Sequence, residues 1–197
     1  MILSPLKVME KYYKRLSRPV INSLSGSSKL NLMSVAVSVE ELSPEDWQRL
    51  RDIRLAALRN DGHAFGGNVE VESAMTENEW RSKFHIFTGL VAVIDGIDIG
   101  FMSVENLAGD FGSTCWVGSC WVDPKYRKYG ALRSLFAYVD ERALERDWVI
   151  QGLGVWVDNF SAIAAYEKLG FVMMGEKQES TRKPGLYFQR MLRNAAK

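Results

Sequence analysis

Two segments of the chain carry residue types whose spacing could do chemistry. The first runs Trp121-Val122-Asp123-Pro124-Lys125-Tyr126-Arg127-Lys128-Tyr129-Gly130-Ala131-Leu132-Arg133. An apolar run ends, a short basic loop follows, and a helical pattern begins. The first turn of a helix has unpaired N–H groups and a dipole that favours negative charge. With Arg127, Lys128 and Arg133 beside it, such a terminus suits a pyrophosphate. Taken alone, an arginine and a glycine at a strand–helix junction serve packing or solubility equally well. The second segment runs Asp158-Asn159-Phe160-Ser161-Ala162-Ile163-Ala164-Ala165-Tyr166-Glu167-Lys168-Leu169-Gly170-Phe171. Asn159 is a good N-cap and Gly170 a good C-terminal stop. Tyr166 reads either as a packing residue or as a phenol able to protonate a leaving thiolate.

These segments need elements to hold them. Cys115 to Val122 reads as a strand that Asp123-Pro124 breaks. Leu132, Leu135, Phe136, Val139 and Ala143 recur as the apolar face of the next helix, and Leu153, Val155 and Val157 alternate as another strand. Strand, helix and strand within about 40 residues make a βαβ unit with parallel strands and a right-handed crossover. Upstream, Val35, Val37 and Val39 alternate as a first strand. Ser43-Pro44-Glu45-Asp46 starts a helix with buried stripe Trp47, Leu50, Ile53 and Ala57, which Asn60-Asp61-Gly62 stops. A short helix is expected over Glu77 to Phe84. Leu90–Ile94, Asp95-Gly96 and Ile97–Val104 form a hairpin. Phe171–Met174 and Leu186–Met191 close the domain. The expected fold class is α/β: a central mixed sheet of six to seven strands, antiparallel at the start, with a parallel βαβ pair and helices on both faces.

Composition bounds the rest. The 197 residues fill one core, with 47% hydrophobic and 25% charged residues. A formal net charge of +1 gives no global pull toward nucleic acid. Residues 1–32 differ: six cations (Lys7, Lys11, Lys14, Arg15, Arg18, Lys29) face one acid, Glu10. Residues 6–18 read as a basic amphipathic helix, and 33–197 as the folded domain. The extension reads either as a surface or partner anchor or as a loose leader upstream of a start at Met33. Cys115 and Cys120, five apart on one strand, would point to opposite faces and could not bridge. They read as core thiols in a reducing, cytoplasmic compartment. His63 and His85 have no metal-ligand spacing around them, so no metal is expected, and no stretch is long enough to span a membrane.

Together, and in this order, the two segments resemble the GNAT (GCN5-related N-acetyltransferase) superfamily. Arg127-Lys128-Tyr129-Gly130-Ala131-Leu132 is similar to that family's motif A, Gln/Arg-x-x-Gly-x-Gly/Ala. The Asn159…Ala162…Tyr166-Glu167-Lys168-Leu169-Gly170-Phe171 run is similar to its motif B. The resemblance extends from about Val35 to the last strand. It includes Trp47, Arg54-Leu55, Ala57-Leu58, Ala64-Phe65, Trp80 and Ile99-Gly100-Phe101. It implies an N-acetyltransferase with acetyl-CoA as co-substrate. The backbone of Trp121 and Val122 would pair with the pantetheine arm. The N–H groups from Lys128 through Tyr129, Gly130 and Ala131 to Leu132, with Arg127 and Arg133, would hold the pyrophosphate. Asn159 would contact the cofactor and Tyr166 would protonate the departing CoA thiolate. A small-molecule or peptide amine would enter under the loop from Gly62 to Glu72. Phe65, Trp80 and Phe84 read either as the lining of that acceptor pocket or as core aromatics. Dimerisation is common in such folds, and a homodimer is compatible with the sequence.

Two departures from the pattern stand out. The last small residue of motif A is Leu132 here. The mid-strand glutamate of many relatives aligns with Trp116, which leaves Glu105, with Asp110 nearby, as the candidate base, or a water chain in its place. The alternative to an enzyme is a catalytically degenerate domain that serves as a CoA sensor or partner-binding module.

Overall fold

The computed structural model describes residues 36–196. The expectations for residues 1–32 and for a start at Met33 lie outside that range. Seven strands are built: β1 (Ser38–Glu41), β2 (Thr88–Ile94), β3 (Ile97–Glu105), β4 (Cys115–Val122), β5 (Ile150–Trp156), β6 (Val172–Glu179) and β7 (Tyr187–Asn194). They form one sheet in the order β1-β2-β3-β4-β5-β7-β6. All neighbours are antiparallel except β4 and β5. The expected mixed sheet with a parallel βαβ pair is therefore present.

The helices are α1 (Trp47–Asp61), α2 (Val69–Ser73), α3 (Glu77–Ser82), α4 (Ala131–Glu141), α5 (Ala143–Arg146) and α6 (Phe160–Lys168). Sequence alternation along β2 explains why both sheet faces are covered. Leu90, Ala92 and Ile94 pack in the core beneath α4, with Leu135, Phe136 and Val139. Val91 and Val93 pack on the opposite face, with Leu50, Ile53 and Ala57 of α1 and with Trp80. The turn between β2 and β3 has Asp95 at φ 50° and Gly96 at φ 76°, the left-handed pair that a two-residue hairpin requires. Pro44–Asp46 forms a single 3-10 turn ahead of α1, and the Asp46 carboxylate accepts from the Ser43 N–H (3.0 Å) and hydroxyl (2.7 Å).

The first strand differs from its sequence reading. Ladder pairing begins at Ser38 opposite Val93. Val37 stands outside the ladder, and Val35 lies outside the described residues. Val37 and Val39 still pack against the core.

A second difference matters more. Opposite Phe101 and Ser103 of β3 stand Trp121 and Gly118 of β4, so β4 holds one extra residue. Ser119, within that stretch, takes φ 55°. This is a β-bulge, and it reverses the alternation of everything after it. Cys115 and Val117 face the α4 core, and so do Cys120 and Val122, while Trp121 turns to the α1 core. The two cysteines thus share a face instead of opposing one another. Both thiols are free.

Candidate active site

The parallel ladder between β4 and β5 is short. Only Cys115 with Gln151 and Trp116 with Gly152 pair, and beyond them the strands part. Three cavities of about 410, 370 and 550 Å³ lie in and beside that opening. The first lies between β4, β5 and the β6–β7 loop. The second runs toward Val122, Arg127, Lys128 and Leu132. They meet at Ala64, Phe65, Cys120, Asn159, Ala162 and Tyr166, which line both. The third extends the first along β3 to Ser103 and Glu105.

The second cavity holds the motif A loop. A 3-10 turn at Pro124–Tyr126, capped by the Asp123 carboxylate on the Lys125 N–H (2.8 Å), leads into α4. Lys128 at φ 74° and Gly130 at φ 92° put two left-handed residues just before the helix, a backbone shape that turns N–H groups toward one point. Helical bonding starts with the Ser134 N–H on Gly130 O (2.9 Å), and the first-turn N–H groups of Ala131, Leu132 and Arg133 have no carbonyl in range. Leu132 is half-buried: its side chain packs against the α4 core and also lines the cavity. This arrangement fits a phosphate-bearing ligand. Tyr129 is exposed.

Arg127 is already engaged. Its Nη2 lies 2.6 Å from Asp61 Oδ2, which also accepts from Trp121 Nε1 at 2.7 Å, and its Nε donates to Val122 O at 3.1 Å. The side chain of Trp121 is therefore structural. Asp123 donates its N–H to Ile99 O of β3 (2.8 Å). By alternation along the strand, the N–H and C=O of Val122 point the other way, into the opening, and those of Trp121 point to β3.

At the junction, α6 presents Tyr166. Asn159 Oδ1 caps this helix by accepting from the Ala162 N–H (3.2 Å) and also accepts from the Ser161 hydroxyl (3.1 Å), and the residue lines both cavities. The Tyr166 ring packs edge-on to Phe136 (6.4 Å) and Phe171 (5.8 Å). Its hydroxyl is in hydrogen-bond reach of the Cys120 thiol, and burial, reinforced by that thiol, pushes the phenol well above its ordinary value. Burial pushes the thiol up to about 12. At neutral pH both groups keep their protons, so Tyr166 is equipped to give a proton rather than take one.

Glu105 stands opposite Trp116 across the β3–β4 ladder, so both side chains share one sheet face and line the third cavity. Burial raises its carboxyl above the usual carboxylate range, against the opposing pull of Arg182. A base displaced upward toward neutrality is better matched to an amine proton. Asp110 pairs with Arg190 at 2.8 Å. Phe65 lines all three cavities. Trp80 lines none: it is 0% exposed in the α1 core, so its expected pocket role gives way to packing, and Phe84 packs against the same cluster.

Several contributors were given no role by the sequence reading. Arg54 grips Glu72 with two hydrogen bonds (2.9 and 2.7 Å), lies 5.3 Å from the Phe65 ring centroid and reaches Ser119 Oγ at 3.4 Å. It ties Glu72 to the bulge. Trp116, Arg182, Phe188 and Arg190 wall the first cavity. In the sequence Arg182 stands in an Arg-Lys-Pro-Gly turn before the last strand, and Trp116 at the place of the family's mid-strand glutamate. Among the described residues, no group of three or more His, Cys, Asp or Glu gathers as metal ligands, and no helix is long and apolar enough to cross a membrane.

The family model described as the Acetyltransferase (GNAT) family matches residues 45–171. Solved structures share the fold. A Salmonella typhimurium protein solved with its cofactor acetyl-CoA superposes at TM-score 0.61 with 16% identity, over 82% of this chain and 95% of its own. The ribosomal-protein-alanine N-acetyltransferase of Brucella melitensis gives 0.56 with 24% identity, over 80% and 99%. The spermidine N-acetyltransferase of Vibrio cholerae, in complex with CoA and spermine, gives 0.62 with 15% identity, over 81% and 95%. At such identities the likeness is one of fold. A comparison with curated proteins finds no match.

Proposed function

The chain belongs to the acetyltransferase (GNAT) family, and from that premise we propose that it moves an acetyl group from acetyl-CoA to a primary amine by direct attack. The observation that carries the reading is the junction at Tyr166, where a cavity leading to the α4 terminus meets one leading to Glu105's side of the sheet. Acetyl-CoA supplies an activated acetyl thioester. The N–H groups of Lys128 to Leu132, with Arg133 beside them, hold its pyrophosphate, and the Val122 backbone holds its arm. Asn159 contacts it.

Glu105 accepts the amine proton, directly or through water in the third cavity. The Val122 N–H is the donor for the thioester oxygen as charge builds on it. A C–N bond forms as the C–S bond breaks, and Tyr166 gives its proton to the sulfur. Two free thiols in the core fit a reducing, cytoplasmic setting. Residues 33–197 form the catalytic domain in this reading, and residues 1–32 are an appendage to it.

The test is calorimetric titration with acetyl-CoA of the wild type and of Leu132→Gly. Because Leu132 packs against the α4 core, the wild type binds at micromolar concentration and the variant gains less than about tenfold, while losing roughly 1 kcal/mol or more of stability to helix propensity and lost packing. A wild type that fails to bind, rescued by Leu132→Gly, would favour a degenerate domain instead.

A further inference from the structure

The acceptor half of the site has an unusual charge pattern. The first cavity is lined by two arginines, Arg182 and Arg190, and by no carboxylate. Arg190 is neutralised: Asp110 lies 2.8 Å from its Nε, and its guanidinium stacks 4.6 Å from Trp116 and 4.7 Å from Phe188. Arg182 has no carboxylate at salt-bridge distance among the described residues, although it lines both the first and third cavities. Glu105, in the third, likewise has no ion-pair partner.

Arg182 is held in place by its backbone. The buried Ser180 hydroxyl accepts from the N–H groups of Arg182 (3.2 Å) and Lys183 (3.1 Å). Lys183 Nζ ties the same turn to Gly62 O at 3.0 Å. The Arg182 stem lies over Gly66, close enough that a Cβ there would meet its Cδ at 3.5 Å. The turn therefore holds the exposed Arg182 at the edge of the first and third cavities, within electrostatic reach of Glu105 but with no ion pair between them. Phe65 and Trp116 line the cavity that the two share, and Phe188 adds an apolar wall to the first.

We propose that the acceptor is a small amino carboxylate with an apolar side chain, its amine taken by Glu105 and its carboxylate by Arg182. This rests on the transferase reading above. A polyamine would find Glu105 for one of its charges and the unpaired Arg182 facing the next, a poor match for a polycation. A guanidinium fork matches a carboxylate with two parallel hydrogen bonds.

The experiment compares initial rates at saturating acetyl-CoA for L-phenylalanine, L-phenylalaninamide, phenethylamine, spermidine and the tripeptide Phe-Gly-Gly. The expected result is that L-phenylalanine exceeds its amide and phenethylamine by ~10-fold or more in kcat/KM, mostly through KM, as loss of a charged hydrogen-bond partner implies. Arg182→Ala raises the KM for L-phenylalanine ~10- to 100-fold, holds kcat and erases the preference, and Arg182→Lys keeps part of it. Equal or better use of the amide, phenethylamine or spermidine overturns the proposal, as does a preference that survives Arg182→Ala. Preference for the tripeptide overturns it in favour of a peptide N-terminus.

If acetyl-CoA binds and none of these amines is acetylated, the transferase reading is what has failed. The carboxylate site is then judged by titrating N-acetyl-L-phenylalanine and its amide into the CoA-saturated protein. A preference for the carboxylate of ~10-fold that Arg182→Ala removes sustains the site, and anything smaller overturns it.

Discussion

Replacing Tyr166 by phenylalanine removes one oxygen from the meeting point of the two cavities and little else. The ring keeps its edge-on contacts with Phe136 and Phe171, at 6.4 and 5.8 Å. The lost hydrogen bond, to a weakly polar thiol, costs no more than about 1 kcal/mol of stability. Catalysis should suffer far more. A positioned general acid contributes roughly 10²- to 10⁴-fold, and cavities on both sides of the phenol admit water as a poor substitute, so we expect the lower end, about 10²-fold in kcat. The affinity for acetyl-CoA, measured by calorimetry, should be unchanged. The pH profile adds a second readout. Burial first, and Cys120 second, hold the phenol well above its ordinary value. It stays protonated throughout the neutral range, and kcat in the wild type has no alkaline limb from Tyr166 below about pH 10. The variant should give a profile of the same shape at lower amplitude. Stopped assays of acetylated product against pH, for both proteins, check this. A variant within about threefold of wild-type kcat, with its fold and acetyl-CoA affinity intact, would refute the assignment.

Glu105→Gln should lower kcat by about 10²-fold or more and stabilise the fold at pH 7. The sign follows from burial, which raises the folded carboxyl above its unfolded value of 4.5. The protonated form is the favoured one, its stability is full below 4.5, and it is lost as pH rises through the folded value. The melting temperature of the variant should thus exceed wild type at pH 7 and match it near pH 4. Arg54→Ala strips one partner from a pair whose side chains are only 13% and 10% exposed. A loss of roughly 3–5 kcal/mol in urea unfolding is expected, because the Glu72 charge is left buried. Arg54→Lys, which keeps the charge without the fork, should fall between.

Most of the frame was legible in the sequence, because it rests on local rules. The Asp95-Gly96 turn, the Pro44 helix start and the apolar stripe of α4 each act over a few residues. Trp80 stayed open between pocket and core because an aromatic among charged helix residues looks the same whichever way it turns. Only the packing of α1, β2 and β3 around it decides. Arg182 was passed over for a related reason. Its importance lies in having no partner while Arg190 has one, and a vacancy of that kind exists only in three dimensions.

The bulge in β4 shows why local rules end where function begins. Period-two alternation assigns Cys120 to the face opposite Cys115, and a regular strand would have obeyed. One extra residue, with Ser119 in a backbone conformation that non-glycine residues rarely adopt, undoes that assignment. It turns Cys120 toward Tyr166 and Trp121 toward Asp61. The bulge also falls just beyond Trp116, the last β4 residue to pair with β5. An irregular strand cannot keep an even ladder with a regular one, so the bulge and the opening are two consequences of one insertion. The strain is held by contacts far off in sequence, among them Arg54 Nη1 on the Ser119 hydroxyl at 3.4 Å. Arg54, from α1, therefore helps to hold open the site that β4 and β5 enclose.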